Sequence, residues 1–201
     1  MSVLSDRVGD LPAPDDDART ATRARADNVL RPAGALRWLD DVAVWKAGWQ
    51  RDPAPRVAAP AALVFAADHG VAAAGVSNYP SEVTAAMLDA TRQHRATINA
   101  FAATVGATVH AVDVGVGRPT GDMRHTAALT PERFDEVTST AFAAVDELDT
   151  DLLVLGELGI GNTTAAAAVA AAFAGGEATV WVGRGTGCLL YTSPSPRDLV
   201  G

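Results

Sequence analysis

The sequence predicts an α/β protein, an open, mostly parallel sheet with helices on both faces and a helical segment at its N-terminal side. Three observations predict it. Short apolar runs at residues 61–67, 107–112, 152–155 and 179–182 have the length of buried strands. The stretches between them are long enough for crossovers, and several carry helical spacing. Each run also empties into acids or glycines, which is where an open parallel sheet presents its ligand residues. Right-handed crossovers would gather the loops at Asp68, Asp113, Glu157 and Gly183 on one edge.

Residues 1–30 carry Asp6, Asp10, Asp15, Asp16, Asp17 and Asp27 among Arg19, Arg23 and Arg25, with few large apolar groups, and read as a mobile acidic and basic arm. Residues 31–60 form the helical segment and its linker. Trp38, Trp45 and Trp49, with Leu39 and Val42, make one helical stripe over 34–50, read as core or subunit contact, and the prolines of 51–60 end it. The strand at 61–67 runs into Asp68, His69 and Gly70. Ser81 with Glu82 reads as a helix cap, and one long helix is expected from there to about Thr104, with His94 on a solvated face. The strand at 107–112 delivers Asp113 into a Gly115 and Gly117 loop. Residues 118–129 read as irregular, with His125 at the surface. Thr130, Pro131 and Glu132 are a cap, a first-turn proline and an acid, opening a helix to about Leu148.

The stretch from 151 to 187 concentrates the chemistry. Its apolar strand ends in a turn where Gly159 and Gly161 permit unusual backbone angles, and Asn162, Thr163 and Thr164 are natural cap residues for the alanine helix that follows to Gly175 and Gly176. Free N–H groups and the positive dipole end meet at that turn, which suits a phosphate or carboxylate. A strand at 179–182 and the loop Gly183, Arg184, Gly185, Thr186, Gly187 read as a second copy, with one cation. Glu157, between a buried strand and an anion-binding turn, suits proton transfer or stabilisation of a cation. The third glycine of a dinucleotide fingerprint is Thr164, and no Gly-Lys pair makes a Walker loop.

Composition bounds the partners. A 201-residue chain with net charge −8 argues against nucleic acid or an anionic membrane as its main partner. The single cysteine, Cys188, suits a reducing, cytoplasmic compartment. No metal-binding motif is present, so neither a metal nor a cofactor is expected.

Read together, A-D-H-G-V at 67–71, G-V-S-N-Y-P-S-E-V-T at 75–84, G-E-L-G-I-G-N-T-T at 156–164 and V-G-R-G-T-G at 182–187 resemble the nicotinate-nucleotide:dimethylbenzimidazole phosphoribosyltransferase family of cobalamin biosynthesis. The resemblance runs from about Arg31 to Gly187 and implies a Rossmann-like core over 61–187. It implies transfer of phosphoribose from nicotinate mononucleotide to 5,6-dimethylbenzimidazole, giving α-ribazole 5′-phosphate and nicotinate. In that scheme Gly159, Gly161, Asn162, Thr163 and Thr164, with Gly183, Arg184, Gly185, Thr186 and Gly187, hold the phosphate. Glu157 stands at the oxocarbenium-like ribose. Asp68, His69, Ser77, Tyr79 and Glu82 belong to the base pocket, where Ala86 replaces a glutamine frequent in relatives. The family's general base falls in a C-terminal third beyond this chain, so the chain is expected to be an N-terminal fragment, inactive by itself and a homodimer when complete. Residues 188–201, CLLYTSPSPRDLVG, are expected to be a non-native tail. A non-catalytic nucleotide-binding protein is the alternative, and a dinucleotide-dependent oxidoreductase a weaker one.

Overall fold

The computed structural model describes residues 11–32 and 34–183, which fall into two compact units. The first holds two helices, α1 (Asp16–Asn28) and α2 (Leu39–Gln50). Where a mobile arm is expected over 1–30, residues 16–28 are helical. Asp15 explains the difference: its side chain accepts from Ala18 N at 2.8 Å, and Asp16 and Asp17 stand in the first turn, where acids favour the helix dipole. Small residues then let α1 approach α2. Ala18, Thr22 and Ala47 are buried, and a Cβ at Gly48 would lie 2.8 Å from the Arg19 side chain. That close contact turns the tryptophan stripe outward: Trp38, Trp45 and Trp49 are 65%, 53% and 49% exposed, so they are not core. The buried Lys46 donates to the Asp151 carbonyl at 2.7 Å, while the Asp151 carboxylate accepts from Ala58 N and Ala59 N and is held below its usual pKa by those bonds.

The second unit is the α/β body. Its sheet has three strands in the order β2-β1-β3: β1 (Pro60–Ala67), β2 (Thr108–Gly115) and β3 (Leu152–Leu158). β1 and β2 are parallel, Ala61 opposite Thr108 and Ala66 opposite Asp113, with a register shift before Ala67 reaches Gly115. β3 climbs along β1 in the same sense: Asp151 bonds to Ala59 at the bottom, Gly156 lies against Val64, and Gly159 meets Ala67 at the top. The central strand supplies the core through Ala61, Ala62, Leu63, Val64 and Ala66. β2 is packed by α3 (Glu82–Arg92), α4 (Thr97–Thr104) and α5 (Pro131–Asp146). The Thr130 hydroxyl accepts from Arg133 N at 3.2 Å, the cap that the sequence announces.

Two expectations are corrected. The single long helix is broken into α3 and α4, because His94 takes a left-handed conformation (φ 57°) and Arg95 N returns to Ala90 O at 2.8 Å. The buried Asn99 bridges the break, donating to Thr91 O at 3.1 Å and accepting from Ala96 N at 3.0 Å. β3 leads into α6 (Asn162–Ala174) and then α7 (Ala178–Trp181), so the strand expected over 179–182 is a short helix. Strand propensity is realised only where a neighbouring ladder accepts it, and here the Trp181 indole instead donates to Gly175 O at 2.8 Å, closing a local turn. Among the described residues no helix is long and apolar enough to cross a membrane.

Candidate active site

The carboxyl ends of β1 and β3 meet at the head of α6, around a cavity of about 210 Å³ lined by Glu157, Gly159, Gly161, Asn162 and Thr163 with Val83 and Thr84 from α3. The turn is built by exclusion. A Cβ at Gly159 would collide with the Ala67 carbonyl and lie 2.6 Å from Asn162 Oδ1, and Gly161 takes φ 97°. Gly161 is the helix cap position, so α6 begins at Asn162 and no side chain caps it, contrary to the expectation for Asn162, Thr163 and Thr164. Asn162 N donates to Gly159 O at 3.3 Å, and its Oδ1 meets Nε2 of His69. That bond uses the Asn162 N–H, while the N–H groups of Gly161, Thr163 and Thr164 make no hydrogen bond among the described residues, as an anion-binding turn requires.

Glu157 is exposed, yet partial desolvation raises its carboxyl above the ordinary glutamate value, opposed by the charge of nearby His69. A carboxylate with reduced hydration interacts more strongly with a cation developing beside it. Thr84 is 1% exposed, and its hydroxyl accepts from Ile160 N at 3.3 Å, tying α3 to the turn. Sequence reasoning did not single it out; its signal is a polar residue just inside a helix within the 75–84 stretch.

The other expected residues are placed differently. Asp68 faces the β2 side: its carboxylate accepts from Gly117 N at 2.8 Å, its carbonyl accepts from Thr120 N at 3.1 Å, and its Oδ1 is buried with no hydrogen-bond partner among the described residues. Asp113 accepts from Gly115 N and Val116 N, both at 2.8 Å, and so shapes its own loop. Ser77 Oγ accepts from Tyr79 N at 3.1 Å within its turn. Tyr79 and Glu82 are exposed and do not line the 210 Å³ cavity, and Ser81 makes no capping bond. Thr163, Thr164 and Gly183 share a neighbouring groove of about 220 Å³ between α6 and α7. Arg184, Gly185, Thr186 and Gly187 lie outside the described residues, as does Cys188.

A family described as phosphoribosyltransferase (DBI_PRT) matches residues 11–190. A nicotinate-nucleotide–dimethylbenzimidazole phosphoribosyltransferase of Ruegeria pomeroyi is 44% identical over 187 residues, covering 93% of this chain and 55% of the relative. The enzyme of that name from Jannaschia sp. is 45% identical, covering 87% and 51%. The crystal structure of CobT from Thermus thermophilus superposes with a TM-score of 0.78 at 37% identity, covering 86% of this chain and 57% of that one. The chain thus spans about half the length of these relatives. With a family match across most of its residues, the chain belongs to the nicotinate-nucleotide:dimethylbenzimidazole phosphoribosyltransferase family.

Proposed function

We propose that the protein transfers phosphoribose from nicotinate mononucleotide to 5,6-dimethylbenzimidazole, in assembly of the cobalamin nucleotide loop. The observation that carries the reading is the carboxylate of Glu157 beside the open glycine turn at the head of α6. The 5′-phosphate sits on the N–H groups of Gly161, Thr163 and Thr164, with Gly183 adjoining. The bond from C1′ to the nicotinate nitrogen breaks with its electron pair leaving on that nitrogen. A benzimidazole nitrogen bonds to the opposite face of C1′, and the proton of its ring N–H is released to the general base of the family's C-terminal third. Glu157 offsets the positive charge that the ribose carries between the two events.

A homodimer and a cytoplasmic site of action belong to the same reading. The exposed Trp38, Trp45 and Trp49 supply a surface for the first. The acidic charge and the single cysteine support the second.

The test is calorimetric titration with nicotinate mononucleotide, then addition of dimethylbenzimidazole with chromatography of α-ribazole 5′-phosphate, on this chain and on a full-length relative. Binding by both with product from the full-length protein is expected. Binding without product in either favours the non-catalytic nucleotide-binding reading, and no binding by either refutes both.

A further inference from the structure

An asparagine side chain at an anion site works only one way round. Its Nδ2 offers two N–H donors, whereas its Oδ1 repels the anion, and the two ends exchange by a half-turn of the amide. Asn162 opens α6 and lines the 210 Å³ cavity, so the orientation of its amide decides what an occupant meets.

One contact bears on that orientation. Oδ1 of Asn162 meets Nε2 of His69, which arrives from the end of β1. Gly159 leaves room for the pair: a Cβ there would lie 2.6 Å from Oδ1. An oxygen in this contact accepts, which pairs it with an Nε2–H of the imidazole. With Oδ1 engaged, Nδ2 is directed to the other side of the same carbon, where it makes no hydrogen bond among the described residues.

The geometry points to His69 as a positioning residue that locks the Asn162 amide with Nδ2 toward the cavity, so that a phosphate monoester meets two more N–H donors. The inference rests on the cavity being the phosphoribosyl site. It also gives Gly159 a purpose beyond the turn itself, since a side chain there would displace the amide oxygen. His69 does not touch the reacting atoms in this scheme; it acts through Asn162.

The experiment is a side-chain amide NMR titration of the whole 201-residue chain, labelled with ¹⁵N-asparagine, using inorganic phosphate and then nicotinate mononucleotide. The Asn162 NH₂ pair is expected to shift and to saturate along the calorimetric isotherm. His69→Leu should weaken nicotinate mononucleotide binding about tenfold, while His69→Gln, which keeps a donor, should stay within about threefold of the parent. In an Asn162→Ala background His69→Leu should change nothing further, which a merely structural role for His69 would not produce. A stationary Asn162 NH₂ pair while the Gly161 and Asn162 backbone amides shift overturns the inference, even if a variant does not fold. So does a His69→Leu loss of equal size with and without Asn162. Either result leaves the transferase reading standing if the parent binds the nucleotide, whereas a parent that binds neither probe removes both.

Discussion

Gly159→Ala places one methyl group where the structure has none to spare. The new Cβ would collide with the Ala67 carbonyl and lie 2.6 Å from Asn162 Oδ1, against roughly 3.4 Å for ordinary contact, so the amide must retreat by about 0.8 Å. Overpacking of this kind costs about 1–3 kcal/mol, so a loss of that size in stability is expected. Displacing the turn should also weaken nicotinate mononucleotide binding by about tenfold or more, on the order of 1.4 kcal/mol. Gly106→Ala is the control: it has φ 68° with nothing within 4 Å of a new Cβ, and it lies outside the cavity lining. It should lose only the left-handed penalty, about 1–2 kcal/mol, and bind as the parent does. Urea unfolding followed by circular dichroism, with calorimetric titration, measures both effects. The steric account is refuted if Gly159→Ala unfolds at the parent's midpoint and binds equally well, or if Gly106→Ala loses binding to the same extent.

Thr84→Val keeps the shape of a buried side chain but strands Ile160 N, and should cost about 1–3 kcal/mol in urea unfolding, with Thr84→Ser recovering most of it. Glu157 has a raised carboxyl pKa, so its contribution is fully present below the ordinary value of 4.5 and is lost as pH rises through the folded value. Glu157→Gln should therefore be at least as stable as the parent at pH 7, with the advantage vanishing on acidification; thermal melts from about pH 3 to 8 that show the variant weaker at neutral pH would contradict this. Asp122 is lowered to about 2, first by its bond to the Arg124 guanidinium, so its contribution is present above 3.8 and lost as pH falls toward 2. Asp122→Asn should remove that part of the acid sensitivity and leave the remainder of the pH profile unchanged.

What could be read in advance follows from how local the cause is. β1 declares itself because five of its eight residues are small or branched apolar groups in the buried centre of the sheet, and α5 because Thr130 and Pro131 act within a single turn. The glycine turn was legible for the same reason, since its backbone needs are written in the residues themselves. The α3–α4 break was not, because it depends on Asn99 reaching back to Thr91 and Ala96, a bond that exists only once both helices are placed. Residues 16–28 misled because their charge suggested an arm, whereas Asp15 and a face of small residues against Ala47 and Gly48 suffice for a helix. Residues 179–182 misled in the opposite direction: Thr179, Val180 and Val182 favour strand, but no ladder takes them. Glu157 and His69 are legible as polar residues at the ends of apolar strands, while the pairing of His69 with Asn162 requires the fold to bring together positions 93 apart.

α6 has no buried residue along its thirteen positions, and eight of them are alanine. Isolated helices of about 12–15 residues are marginal in water even with that composition. Side-chain burial therefore does little to hold α6, and its start at the glycine turn takes on that work. Such a helix belongs to the part of a protein that opens first by local unfolding, so its amides should exchange with deuterium well before those of β1. An occupant that binds only the formed turn slows that opening by mass action, in proportion to RT ln(1 + [L]/Kd). Deuterium uptake along residues 162–174 then becomes a gauge of whether the cavity is filled, readable in this chain without any turnover.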